Sequence, residues 1–198
     1  MAILNEKTEE TKKKIHLVIG EKCIRNCPLC CNKQYDMNSI ETVTDLEYSE
    51  AEEIFITGGE PFICDDVPFI AQQIKEKYPN IKKVYVYTNA FELGWFMRAW
   101  EYSGHENRFN LLHGLDGFTV SIKNEIDKYV FETYLNGHPD IYRGGHMSNY
   151  LYVFKGFEDT KCYDYWVKKV REWQTDFTPA TDSIFRKVQR DERGRIRI

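Results

Sequence analysis

Three cysteines in one short stretch are the residues of this chain most capable of chemistry. Cys23, Cys27 and Cys30 have the spacing C-x3-C-x2-C, and Cys31 follows directly. Thiolates are soft ligands that favour zinc and iron–sulfur clusters. A structural zinc site needs four protein ligands, and four cysteines complete an ordinary iron–sulfur cluster. Three cysteines in one loop can therefore leave one iron of a 4Fe–4S cluster open to a small molecule.

A second motif ends the apolar run Glu53–Thr57, which is followed by Gly58, Gly59, Glu60 and Pro61. Glycines allow the backbone to approach a ligand closely, because they have no Cβ atom. A carboxylate can hold an ammonium group through charge-assisted hydrogen bonds. The segment therefore has the composition of a turn that binds a ligand carrying an amine.

In this order, the two motifs resemble the CxxxCxxC and GGE motifs of the radical S-adenosylmethionine (SAM) superfamily. In that family the amino and carboxylate groups of the methionine part of SAM chelate the open iron. The resemblance implies that Cys23, Cys27 and Cys30 are the catalytic, metal-binding cysteines, and that Gly58, Gly59 and Glu60 bind SAM. It also implies reductive cleavage of SAM to a 5′-deoxyadenosyl radical, which abstracts hydrogen from the substrate. A flavodoxin or ferredoxin is the implied electron donor.

Two later segments resemble the same family. Thr88 and Asn89 are similar to the TNG segment of glycyl-radical activating enzymes and of 7-carboxy-7-deazaguanine synthases. Residues 116–123 are similar to a D-x3-D-x-K strand of the activating enzymes and, at their Ser-Ile-Lys end, to the S-P-K of the deazaguanine enzymes. The resemblance implies that Thr88 and Ser121 face SAM, and that Lys123 lies near its carboxylate or the substrate. The alternative is a strand-end residue that bonds to local backbone.

The elements that must position these residues alternate between strand and helix patterns. Predicted strands are 14–20, 53–57, 83–88, 117–123, 150–154 and 185–188, with 196–198 a poorer candidate. Predicted helices lie near 44–50, from 65 or 66 to 78, and at 91–102, 125–135 and 163–173. This alternation predicts βαβ units and a parallel sheet. With 198 residues, the chain is shorter than the roughly 250 of a full eight-fold barrel. We therefore expect an α/β fold, a shortened open (β/α) partial barrel of about six parallel strands. Its strand ends bring the motif residues to one face.

Composition and charge bound the location and partners. The predicted organisation is an N-terminal tail over residues 1–13, one domain over 14–185 and a basic tail over 186–198. The net charge of −4 gives no reason to expect a nucleic acid partner. Without a signal-peptide pattern or an apolar run that could span a membrane, we expect a cytoplasmic protein with no membrane partner. The basic tail is either solvated or a docking surface for an acidic partner.

Several alternatives stay open at this point. The substrate is either a protein, as for a glycyl-radical-enzyme activase, or a small molecule, as for the deazaguanine enzymes. A third possibility is a non-catalytic zinc or iron–sulfur module using Cys31 as a fourth ligand, although vicinal cysteines reach one tetrahedral metal with difficulty. Cys64 and Cys162 are predicted in loops on the catalytic face, either as redox thiols or as inert ones. Four histidines follow predicted helices, which places them at the opposite face: His105, His113, His138 and His146.

Overall fold

Seven parallel strands form the central sheet. A computed structural model describes residues 14–27, 30–34, 36–64, 66–102, 112, 114–139, 141, 148–172 and 182–198. The strands are β1 (Lys14–Val18), β2 (Glu53–Thr57), β3 (Lys83–Asn89), β4 (Gly117–Ile122), β5 (Asn149–Phe154), β6 (Trp166–Arg171) and β7 (Ser183–Lys187). They lie in the order β6-β5-β4-β3-β2-β1-β7. Within the described residues, no further strand pairs with the outer side of β6 or β7, and β7 has only an isolated bridge there between Lys187 and Thr42. The sheet is therefore open, and the predicted α/β partial barrel is confirmed.

Helices connect most of the strands. They are α1 (Asp45–Glu50), α2 (Pro61–Cys64), α3 (Val67–Lys77), α4 (Ala90–Tyr102) and α5 (Glu125–Val130), which continues as a π-helix over Phe131–Leu135. Short 3-10 turns at Cys31–Lys33 and Met37–Ser39 precede α1. A two-stranded antiparallel hairpin, β8 (Gln189–Arg190) with β9 (Ile196–Arg197), closes the chain. The poorer strand candidate at 196–198 is thus a hairpin strand outside the main sheet.

Polar side chains define where the predicted helices begin. Thr44 and Glu47 form a reciprocal capping box at the start of α1, which satisfies two backbone donors of the first turn. Asp66 Oδ1 accepts the Phe69 N–H at 3.2 Å at the start of α3. Asn124 accepts a backbone N–H in the same way at the start of α5. These caps explain why the helices predicted near 44–50, 65–78 and 125–135 form where the sequence indicates.

One face of the sheet carries the hydrophobic core. Alternate strand residues such as Ile15 and Leu17 are fully buried on this face, because successive strand side chains point to opposite sides. Helices α3, α4 and α5 cover that face and contribute to the same cluster of apolar residues. The fully or almost fully buried helical members include Ile70, Ile74, Leu93, Met97, Phe131 and Leu135. This packing fixes the sheet and leaves the carboxyl ends of its strands to carry polar residues.

The helix predicted over residues 163–173 is wrong. The backbone of Trp166–Arg171 instead pairs with Asn149–Phe154 along the whole of β5. In this strand the Trp166 ring packs edge-on against Phe131, with 4.9 Å between the ring centroids. β-Branched residues such as Val167 suit a strand. β6 is therefore the strand that raises the sheet from about six to seven.

The boundary predicted at residue 185 falls inside β7. Arg186 is a member of the sheet, and its guanidinium bonds Glu47 at 2.6 Å and approaches Glu41 at 3.3 Å. Those carboxylates neutralise part of the basic run that was predicted as a tail. The N-terminal tail predicted over residues 1–13 lies outside the described residues.

A histidine that the sequence analysis missed lies on the face opposite the core. His16 is stacked between Phe185, 4.6 Å away, and Phe55, 5.0 Å away, as its register partners in β7 and β2. Burial among these rings lowers the pKa of His16 to about 4, because the charged imidazolium loses its hydration. The ring is therefore neutral at physiological pH.

Replacing this histidine should change the acid stability of the protein. The pKa of His16 is lower in the folded chain than in the unfolded chain, so the unfolded chain binds the extra proton between about pH 6.5 and pH 4. The contribution of His16 to the free energy of unfolding is thus fully present above pH 6.5 and is lost as the pH falls. The loss amounts to about 2.5 kcal/mol at about pH 4.5. In His16→Phe this loss should vanish. Urea unfolding of both proteins at about pH 7 and pH 4.5 measures it, and equal losses would contradict the assignment.

Candidate functional site

The turn after β2 is hydrogen-bonded to the first residues of the cysteine loop. The Gly59 N–H donates to the Gly20 carbonyl at 2.9 Å, and the Glu60 N–H donates to the Lys22 carbonyl at 2.8 Å. Lys22 directly precedes Cys23. The two motifs that the sequence analysis expected to converge are therefore joined backbone to backbone.

Glycine is required at this junction. Gly58 has a φ of +141°, a region that residues with a side chain rarely adopt. A Cβ atom built on Gly59 would lie 2.5 Å from the Glu21 carbonyl oxygen and closer still to that of Lys22. On the far side of the loop, Asn32 Nδ2 donates to the Gly58 carbonyl at 2.6 Å. The turn thus contacts residues on both sides of the three cysteines.

Glu60 is buried at the centre of a hydrogen-bonded network. Its residue exposure is 2%. The Thr88 hydroxyl donates to Oε1 at 2.6 Å, and Asn89 donates to Oε2 from its side chain at 2.6 Å and its backbone at 3.2 Å. A weaker contact comes from the Phe62 N–H, 3.4 Å from Oε1. Burial raises the pKa of Glu60 to about 7 although these donors favour the carboxylate.

The end of β4 joins this network through one of its two predicted site residues. Ser121 Oγ donates to the Thr88 carbonyl of the neighbouring strand β3 at 3.2 Å, which is backbone of another strand and not the local backbone of the alternative. Lys123 is half-buried, with its Nζ atom 5.4 Å from the centre of the Phe154 ring. The predicted residues of strand ends 2, 3 and 4 therefore lie at one edge of the sheet, with the Lys123 ammonium over the end of β5.

The three predicted cluster cysteines lie in the loop next to this network as thiols. Taken over the whole residue, Cys23 is exposed, whereas Cys27 and Cys30 are half-buried. Partial burial of its sulfur raises the pKa of Cys23, with smaller contributions from Glu60, Cys27 and Cys30 and an opposing one from a backbone N–H. Among the described residues, no three His, Cys, Asp or Glu side chains are arranged to hold a metal ion. A cluster here would therefore require the three thiols to draw together around it.

Sequence reasoning missed two charged residues at this edge. Arg25, inside the cysteine motif, makes an ion pair with Asp127 at the start of α5, 2.6 Å between Nη2 and Oδ1. Glu92 in the first turn of α4 is only 5% exposed, and within the described residues its Oε1 has no hydrogen-bond partner. For Arg25, the signal in the sequence was its position between the candidate ligands Cys23 and Cys27.

Cys64 and Cys162, the two cysteines predicted in loops on the catalytic face, lie at different edges of the sheet. Cys64 Sγ contacts the Lys22 carbonyl at 3.4 Å, so this thiol does lie beside the cysteine loop. Cys162 lies in the segment before β6, which begins at Trp166, and the flanking Tyr163 N–H donates to Asn136 beyond α5 at 2.9 Å. Parallel strands begin at the edge opposite their carboxyl ends, so the prediction that Cys162 lies on the catalytic face is wrong.

His138 lies at the edge predicted for it. It follows α5, is 3% exposed, and its Nε2 atom is 3.2 Å from Glu101 Oε1. The other three histidines assigned to that edge, His105, His113 and His146, lie outside the described residues. His138 therefore belongs to the packing of α4 against α5.

No protein-family model matches this chain, and no curated protein is significantly similar to it. Among the described residues, no helix combines the length and the apolar character needed to cross a bilayer. Because no family or curated relative indicates a function, we infer it from the side chains of the site and their geometry.

Proposed function

We propose that this protein is a radical SAM enzyme, which binds a 4Fe–4S cluster through Cys23, Cys27 and Cys30 and binds SAM beside Glu60. The observation that carries this proposal is the pair of hydrogen bonds from Gly59 and Glu60 to the backbone of residues 20 and 22. The diglycine turn is therefore in direct contact with the residues that lead into Cys23, although the two segments are far apart in the sequence. This contact is what a cluster-bound SAM held by a neighbouring carboxylate would require.

The donor set suits the proposed cluster. Three thiolates are soft ligands, and a fourth coordination position on the cluster can then accept SAM. When bound and reduced, such a cluster would supply one electron to the SAM sulfonium, whose C–S bond would break to give methionine and a 5′-deoxyadenosyl radical that abstracts hydrogen from the substrate. The protein contributes the positions of the reactants and a site from which water is excluded.

Glu60 would hold the ammonium group of SAM. Its raised pKa reflects a buried carboxyl group that lacks a compensating positive charge. An ammonium would supply that charge and return Glu60 to its ionised form. The weakest of its present contacts is the Phe62 N–H at 3.4 Å, which is the donor that a ligand could displace at least cost.

Thr88 and Asn89 would orient this carboxylate. The resemblance implied that Thr88 faces SAM, but its hydroxyl is directed to Glu60 Oε1. Both residues are more than nine-tenths buried, so their hydrogen bonds fix Glu60 without competition from water. Lys123, half-buried at the same edge, is suited to a carboxylate of SAM or of the substrate.

Removal of the Glu60 charge should weaken SAM binding. In Glu60→Gln we expect the Kd of the reconstituted protein for SAM to rise at least about tenfold, because a charge-assisted hydrogen bond is lost. The wild-type affinity should also rise as the pH increases towards about 7, where Glu60 ionises. Anaerobic calorimetry at about pH 6 and pH 8 measures both effects.

Glu101→Gln is the matched control for that substitution. Glu101 is a carboxylate on α4 that bonds Tyr134 at 2.9 Å and His138 at 3.2 Å, away from the cysteine loop. Its variant should bind SAM like the wild type. An unchanged Kd in Glu60→Gln, or an equal change in the control, would remove Glu60 from the binding site.

For the substrate, we propose a protein glycyl residue, with this chain acting as a glycyl-radical-enzyme activase. The support is the compact chain, Asn32 two residues past the last cluster cysteine, and the strand β4 match. Detection of a glycyl radical by electron paramagnetic resonance in a partner protein tests this assignment.

A small-molecule substrate is favoured by one feature of the sheet. The row that contains Ser121 continues to Tyr152 and Lys169 in β5 and β6. The Arg171 guanidinium lies 3.9 Å from the Tyr152 ring centre. Aromatic and cationic side chains on one face suit a small anionic molecule. Deuterium transfer from such a substrate into 5′-deoxyadenosine would favour it over the activase.

Metal content tests the proposed cofactor. After anaerobic reconstitution with iron and sulfide, we expect about four irons and four sulfides per chain and the broad visible absorption of a 4Fe–4S cluster. Protein purified with one zinc per chain, and unable to take up iron, would instead support the structural zinc alternative.

A further inference from the structure

Arg25 crosses from the cysteine loop to the start of α5. Its Nη2 atom is 2.6 Å from Asp127 Oδ1, and the two side chains are only 18% and 1% exposed. The guanidinium also lies 4.9 Å from the centre of the Phe91 ring and 3.5 Å from Asn89 Oδ1. A residue within the cysteine motif is therefore held by the helices that follow β3 and β4.

Asp127 is itself held by backbone from two other segments. Its Oδ2 accepts the Lys123 N–H at 3.2 Å, and its Oδ1 is 3.4 Å from the Phe91 N–H. Its own N–H is capped by Asn124 at 2.9 Å. One carboxylate thus joins the end of β4, the first turn of α4 and, through Arg25, the loop after β1.

Stability alone does not account for a charged pair here. Burial of two charges costs desolvation, and well-packed apolar residues often serve a fold as well or better. Within the described residues the Nε atom of Arg25 is buried without a hydrogen-bond partner, which adds to that cost. The pair instead fixes an orientation, because the planar guanidinium allows one arrangement of the loop relative to the strand ends.

We propose that Arg25 is a positioning residue whose ion pair with Asp127 holds the cysteine loop against the ends of β3 and β4 before any cofactor binds. The loop would then present its thiols beside Glu60, where they would draw together around a cluster. The consequence for SAM rests on the proposed function, whereas the restraint on the loop does not.

The restraint is measured in the metal-free protein by site-resolved alkylation with iodoacetamide. Cys27 lies two residues from Arg25 and is half-buried, whereas Cys162 lies at the opposite edge of the sheet and reports general unfolding. In Arg25→Met, we expect alkylation of Cys27 to accelerate about tenfold, while Cys162 changes less than about twofold. Arg25→Lys should give an intermediate rate, because it retains the charge without the planar fork.

Arg98→Met is the matched control, since Arg98 also lies over an aromatic ring, 4.9 Å from the centre of Tyr134, but is exposed and outside the loop. It should leave the Cys27 rate unchanged. If Arg25→Met accelerates both cysteines equally, Asp127→Asn, which retains an acceptor oxygen, decides the matter. Faster alkylation of Cys27 but not of Cys162 in that variant supports the proposal. An unchanged Cys27 rate, or equal acceleration of both cysteines, overturns it. A wild-type Cys27 rate in Arg25→Met also overturns it.

A second measurement separates this proposal from the proposed function. In reconstituted Arg25→Met with full iron content, the Kd for SAM should rise about tenfold. A wild-type Kd would overturn the link between loop orientation and SAM binding. Selective acceleration of Cys27 in a protein whose wild type assembles no cluster would leave the loop restraint intact and contradict the proposed function.

Discussion

Cys27→Ala is expected to abolish cluster assembly and SAM cleavage together. Two remaining thiolates cannot hold a cubane whose fourth position is already given to SAM. Iron should fall from about four to below about one per chain after reconstitution, and 5′-deoxyadenosine formation should fall at least about 100-fold. Iron analysis and chromatographic quantification of the nucleoside, on protein prepared anaerobically, measure the two quantities.

Cys162→Ala is the control for this prediction. Cys162 is a half-buried thiol at the opposite edge of the sheet, so its removal changes the cysteine count without changing the loop. This variant should keep its iron and its activity. If Cys27→Ala retains a full cluster, or if both variants lose iron equally, the cluster is not held by the C-x3-C-x2-C loop.

Gly59→Ala is expected to separate the diglycine turn from the cysteine loop. The added Cβ would meet backbone atoms of Glu21 and Lys22, which cannot move aside as a flexible side chain would. Overpacking of this kind costs about 2 kcal/mol, and it should break the Gly59 and Glu60 N–H bonds at the same time. We therefore expect lower stability in urea and, after reconstitution, at least about tenfold weaker SAM binding.

Gly137→Ala provides the comparison for Gly59→Ala. A Cβ at Gly137 would have the Tyr163 ring edge at 3.4 Å, an ordinary contact. The unfolding midpoint and the SAM affinity of Gly137→Ala should match those of the wild type. A Gly59→Ala protein with wild-type stability would show that the close approach at this turn is not a requirement of the fold.

The sequence predicts the parallel sheet and the convergence of strand ends because both depend on local patterns. Apolar runs separated by helical segments specify the strands, and parallel strands bring their carboxyl ends to one edge. Glu60, Thr88 and Ser121 each lie at or close to the end of such a run, so their proximity could be predicted. Their partners could not, since the Thr88 hydroxyl bonds Glu60 only through the register of β2 and β3.

Long-range pairs and one strand could not be predicted from the sequence. Arg25 and Asp127 are 102 residues apart, and nothing in the spacing of either residue indicates the other. The segment that forms β6 was predicted as the helix after strand 150–154, in the alternation of strands and helices, whereas Trp166 lies in a strand and its ring packs on Phe131 of a separate element. His16 lies in an ordinary strand pattern, and only the sheet order gives it Phe185 as a neighbour.

Reductive cleavage of SAM by the reconstituted protein is the most direct measurement of whether this loop and turn form a radical SAM site. The protein is incubated anaerobically with dithionite and SAM, and 5′-deoxyadenosine is quantified. Formation of the nucleoside that requires cluster, reductant and Cys27 is the result expected. A protein that carries a full 4Fe–4S cluster yet forms no 5′-deoxyadenosine, or that holds zinc at this loop instead, would contradict the proposed function.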